Sequence, residues 1–124
     1  MAAWGEVVKA ENPYESGLSG QGMVSYRVSG NGTEAATILA GVEGKQIHIV
    51  GGAVAAEDEV KVAIIDGSTT ILTIPFGLAG IVAIPPVWIS AGSDLKMQLS
   101  GAVTTSAWVD VVQIVDGQQS SLVS

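Results

Sequence analysis

The sequence predicts an all-β protein built as a single antiparallel β-sandwich, and three observations predict it. Apolar residues recur at every second position in short bursts: Ile47 and Ile49, then Val60, Val62 and Ile64, then Leu95, Met97 and Leu99. A period of two places alternate side chains on one face of a strand, and no stretch sustains the 3.6-residue period of a helix. The bursts are rich in Ile, Val and Thr, whose branched β-carbons suit a pleated, half-buried surface. Between them lie turn-formers, among them Gly30-Asn31-Gly32, Gly51-Gly52, Asp66-Gly67, Pro85-Pro86 and Gly92.

Each element follows in chain order. In residues 1–21, Val7 and Val8 open a short helix or strand that Asn12-Pro13, Gly17 and Gly20 close. This segment reads either as a loose terminus or as an extended N-terminal arm lying along a neighbour. In the second case Trp4 and Tyr14 fill the neighbour's pockets, because exposing a tryptophan on a free tail is unfavourable. The sandwich domain is expected over residues 22–116, with about eight strands at 23–28, 34–39, 45–50, 60–65, 69–74, 81–84, 94–99 and 107–115. The third strand continues to Ala55 if Gly51-Gly52 forms a bulge. Residues 117–124 read as a C-terminal tail.

A chain of 124 residues suits one domain. Its residues are 48% hydrophobic and only 14% charged, against about 25% charged in typical soluble domains. Small polar groups or another protein must therefore cover the remaining surface. The last strand makes the point locally. One face carries Ala107, Val109, Val111, Gln113 and Val115, the other Trp108, Asp110, Val112 and Ile114. Both faces are largely apolar, so one is expected against the core and the other against a partner. Trp108 and Val112 are the expected subunit-packing residues.

The same inventory excludes several functions. A net charge of −7 with five Lys and Arg residues lacks the basic footprint of a nucleic-acid binder. Without cysteine there are no disulfides or thiolate metal sites. No apolar run reaches the ~18 residues of a membrane-spanning helix, so no membrane partner is expected. The first residues lack the basic-then-apolar order of a signal peptide, which predicts synthesis in the cytoplasm.

No residue set promises catalysis. The single histidine, His48, sits mid-strand without an adjacent nucleophile, and no G-x-S-x-G turn surrounds a serine. Glu57-Asp58-Glu59 lacks the spacing of a calcium loop and reads as a solvated turn. Asp66 and Asp94 read as turn residues whose carboxylates bond the backbone. No phosphate-loop pattern is present. Catalytic residues, cofactors and metals are all expected to be absent, and the protein is not expected to be an enzyme.

The run from about residue 35 to 115 resembles the small β-sandwich or jelly-roll domains of tailed-phage virion proteins, particularly head decoration (cement) proteins. The stretches that carry the likeness are V-E-G-K-Q-I-H-I-V at 42–50, D-G-S-T-T-I-L at 66–72 and W-I-S-A-G-S-D-L-K-M-Q-L-S-G-A-V at 88–103. The resemblance implies a structural bacteriophage protein of the virion, typically a homotrimer on the outer capsid surface, that binds the major capsid protein and bridges capsid subunits. It transfers no catalytic residue. The alternative is a tail or fibre component, or a carbohydrate- or receptor-binding sandwich that uses Trp88 or Trp108 as a stacking platform.

Overall fold

Strict alternation commits each apolar burst to one buried face, and the bursts become strands whose backbone groups pair with neighbours. The computed structural model describes residues 3–10 and 23–115. Among them are ten strands: β1 (Glu6–Ala10), β2 (Val24–Gly30), β3 (Ala36–Leu39), β4 (Lys45–Ala56), β5 (Val60–Asp66), β6 (Thr69–Phe76), β7 (Gly80–Ala83), β8 (Val87–Ile89), β9 (Leu95–Leu99) and β10 (Thr105–Val115). One sheet runs β1-β2-β10-β4-β7, with β8 also on β4; the other runs β3-β9-β5-β6.

The all-β antiparallel sandwich is thus the observed fold. β7 and β8 lie end to end along one edge of β4, opposite Ala53–Ala56 and Ile47–Ile49 respectively. The Ile84 N–H still donates to the Gly52 carbonyl at 3.0 Å. Pro85 and Pro86 have no N–H to offer, so pairing lapses before β8. If β7 and β8 count as one position, the strands after β1 fall in the order first-eighth-third-sixth in one sheet and second-seventh-fourth-fifth in the other. That is jelly-roll connectivity. The expected count of about eight rises to ten because β1 joins the sheet and this edge is split.

The core fills the space between the sheets. The larger sheet contributes Val28, Ile47, Ile49, Val54, Ile89, Val109 and Val111; the smaller contributes Ile38, Val62, Ile64, Leu95, Met97 and Leu99. In β4 the buried set changes from Ile47 and Ile49 to Val54 and Ala56, from odd to even numbers. A bulge makes the switch: Asp110 faces Gly51 and Val111 faces Ile49, which leaves Val50 as the extra residue. Without it, one half of β4 would turn its apolar side to water. Gly52 has φ +138°, and a β-carbon there would lie 2.2 Å from the Trp108 carbonyl oxygen.

The N-terminal segment overturns one expectation. Trp4 is 1% exposed within the chain's own core, and its indole N–H donates to the Thr105 carbonyl at 2.9 Å. Its backbone is held as well, by the Glu34 carbonyl and the Gly32 N–H. β1 then pairs with β2 along its whole length. Residues 3–10 therefore belong to the sandwich, and Trp4 is not an anchor for a neighbour. Its own core supplies both the apolar cover and the acceptor that an indole requires. Tyr14 and the expected tail at 117–124 lie outside the described residues.

Replacing Trp4 with Ala is expected to cost about 3–5 kcal/mol of folding stability, measured by urea unfolding. A loss near zero would return Trp4 to the surface. Gly52→Ala is expected to cost more than about 1 kcal/mol, because the strained backbone and the Trp108 carbonyl leave no room for a methyl group.

Candidate interaction surface

Residues directly opposite each other in paired strands share a face, so the register maps the outer surface of the larger sheet. One row reads Val8, Arg27, Trp108, Ala53 and Ala83 across five strands. The adjacent row reads Glu6, Ser29, Ser106, Ala55 and Ile81. Beyond the bulge lie Val112, His48 and Trp88. The last strand does have two apolar sides: Val109 and Val111 point into the core, while Trp108 points outward and is 44% exposed.

The two residues expected at a subunit contact separate here. Trp108 is open, but Val112 is only 4% exposed. Val112 is closed off within its own chain, in the row that carries the His48 and Trp88 rings, so it offers no surface for packing. Trp88 is also 44% exposed, yet its ring stacks on His48 with centroids 4.0 Å apart and planes 1° apart. Trp88 and Trp108 share a face without forming a single clamp. Their partners on β4, His48 and Ala53, are five residues apart, which is roughly 15 Å along a strand.

Around Trp108 the surface dips into a groove of about 560 Å³, lined by Ser25, Arg27 and Ser29 from β2 and by Ser106, Trp108 and Asp110 from β10. The Ser25 hydroxyl donates to Asp110 Oδ1. The Ser29 and Ser106 hydroxyls share a hydrogen bond of 3.0 Å. β10 is paired on both sides, by β2 and β4, so these side chains stand on the middle of the sheet.

A second surface comes from a stretch without charge. No charged residue stands between Asp66 and Asp94. The fold places β6, β7 and β8 from this stretch at the margins of the two sheets, where β6 pairs only with β5, and β7 and β8 only with β4. All four residues of β7 are exposed. Leu78 is 73% and Ile81 74% exposed. The missed signal was a long gap between charges, which alternation-counting does not register.

Asp66, Asp94 and Asp58 accept from backbone N–H groups, but Asp66 and Asp94 do so across loops, from residues remote in the chain, and only Asp58 within its own turn. Asp66 Oδ2 accepts from the Ser90 N–H at 3.0 Å and from its hydroxyl at 2.7 Å. Burial pushes the Asp66 carboxyl up, but these bonds, with one from Ser93, outweigh it and hold the pKa below the usual value. Asp94 Oδ1 accepts from the Gly41 N–H at 2.7 Å, and Asp58 Oδ1 from the Glu59 N–H at 2.7 Å. Among the described residues, no three His, Cys, Asp or Glu side chains gather as metal ligands would. His48 Nδ1 is buried without a partner among the described residues, and burial lowers the ring's pKa.

No family model matches the chain, and no curated protein matches it. Among solved structures it is similar to a Bacillus endospore appendage of the disulfide-linked pili, at 14% identity over 93% of this chain and 95% of that one, with a TM-score of 0.47. It is also similar to the CBM22-1–GH10 modules of Clostridium thermocellum endo-1,4-β-D-xylanase 10B in complex with xylohexaose. There the identity is 14% over 90% of this chain and 25% of that one, with a TM-score of 0.38. The apo form of BiXyn10A CBM1 aligns at 12% identity over 86% of this chain and 89% of that one, with a TM-score of 0.36.

The His48 ring gives a pH signature with a definite sign. Its folded pKa lies below the ordinary 6.5, so the unfolded chain takes up the proton first as pH falls. Stability is therefore full above about pH 6.5 and declines below it, until the folded ring is protonated too. Thermal melts at pH 7.5 and pH 5.5 are expected to show a lower midpoint at the acid value. His48→Phe, which keeps an aromatic ring against Trp88 without a charge, is expected to remove most of that difference. An unchanged difference would assign it to other groups.

Proposed function

We propose that this protein is a non-catalytic structural component of a phage virion, a capsid decoration protein that self-associates, typically as a trimer. It binds the outer surface of the assembled shell and bridges subunits of the major capsid protein. The observation that supports this is the pair of uncharged sheet edges, β6 in one sheet and β7 with β8 in the other. An open strand edge is a template for pairing with another chain, and soluble proteins usually guard it with lysine, proline or a covering loop. Here Pro75 guards the end of β6, and Pro85 and Pro86 guard only the middle of the larger sheet's edge, so β7 is left with apolar side chains and one paired side. The chain carries net charge −7, and none of its charged side chains lies between Asp66 and Asp94. Such edges are shaped to be covered by another polypeptide.

Binding only the assembled shell shifts the assembly equilibrium towards it by mass action. Several weak contacts on one oligomer add through effective concentration. The chemistry needs no cofactor and no activated residue.

Purified protein is expected to bind expanded capsids of the encoding phage from which it has been stripped, and to raise their melting temperature. The double variant Leu78→Glu/Ile81→Glu is expected to fold normally and to bind at least tenfold more weakly. Capsids equally stable with and without the protein would overturn the proposal, and partition with tails would favour the tail or fibre alternative.

A further inference from the structure

We propose that the groove between β2 and β10 binds a neutral saccharide, with a pyranose ring stacked on Trp108. This goes beyond the shell-binding role, which uses the sheet edges at β6, β7 and β8. Trp108 is a large apolar ring held open on the most firmly paired strand of the sheet. Its neighbour across β4 is Ala53, too small to cover the indole. A soluble protein exposes such a ring at the cost of unburied apolar area, and the C–H face of a sugar ring is a flat apolar surface that matches it.

Apart from Trp108 and the buried Val28 and Ala107, the side chains lining the groove are polar, and this distinguishes it from a protein-docking patch. Arg27 is the register partner of Trp108 on one side, and Asp110 stands two residues along the same face. The Ser25 hydroxyl fixes the Asp110 carboxylate through Oδ1, and the Ser29 and Ser106 hydroxyls stand on the other flank. A sugar hydroxyl both donates and accepts. Asp110 accepts, Arg27 donates, and the serines do either, so each polar class that a saccharide presents meets its complement. One cationic and one anionic side chain leave the groove without net charge, which favours a neutral sugar over a sialylated or sulfated one. The volume, about 560 Å³, lies within the roughly 300–1,000 Å³ of small-molecule sites.

The test uses the full-length protein on an array of neutral oligosaccharides of glucose, galactose, mannose and xylose, with sialylated and sulfated glycans alongside. The strongest neutral hit is then titrated in solution by tryptophan fluorescence. A neutral hit is expected, weakened at least tenfold by Trp108→Ala and by Asp110→Asn, and unchanged by Trp88→Ala. Thermal melts of each variant confirm the fold. No neutral hit, a hit confined to anionic glycans, or a hit that survives Trp108→Ala would overturn the proposal. Trp108→Ala is expected to retain capsid binding and the Leu78/Ile81 variant to retain sugar binding, so the two proposals fail separately.

Discussion

The ladder between β4 and β10 is the constraint on which the rest of the molecule depends. It is the longest pairing in the fold, from Thr105 opposite Ala56 to Val115 opposite Lys45. Its register decides at once which residues form the core and which meet the solvent. Val109 and Val111 face Gly52 and Ile49 on the inner side, while Trp108 and Val112 face Ala53 and His48 on the outer side. A slip of one residue would exchange the two sets. The extra residue at Val50 keeps the assignment consistent along a strand long enough to twist out of phase, and Gly52 lets the Trp108 backbone approach it.

From that ladder the sandwich acquires two unlike surfaces. The centre of the larger sheet is rigid, being paired on both sides, and it carries a mixture of an open indole, opposite charges and hydroxyls. The sheet edges at β6 and at β7 and β8 are uncharged and only half paired. A rigid mixed groove suits recognition of a small polar ligand with an apolar face. An apolar strand edge suits another polypeptide, whose backbone completes the hydrogen bonds. The two lie on different strands of one domain, so a docked molecule leaves the other surface free to act.

Trp4 shows how a correct physical premise leads to the wrong address. Tryptophan in an irregular segment does signal burial, because the exposed ring is costly. What the chain order conceals is that Thr105, far away in sequence, supplies the acceptor for its N–H. The core of the same molecule satisfies the residue more cheaply than a neighbour does, since no association entropy is lost. Val112 is a milder case of the same kind. Alternation places it outward, correctly, but alternation has no knowledge of which rings stand on the adjacent strands.

Short-range patterning was enough to determine the class of fold, because the period-two burial of Ile47 and Ile49 or of Leu95, Met97 and Leu99 is a property of neighbouring residues alone. It also pointed to a bulge at Gly51-Gly52, next to the extra residue Val50, to Asp66 and Asp94 as acceptors of backbone N–H groups though not to their remote partners, and to the two-sided character of the last strand. Only the tertiary structure decided which strands pair, that residues 3–10 join the sheet, and that Arg27, Trp108 and Asp110 share one groove while Trp88 is spent partly on His48. Those outcomes rest on contacts between residues remote in the chain, and their energies depend on shape and burial that no local pattern encodes.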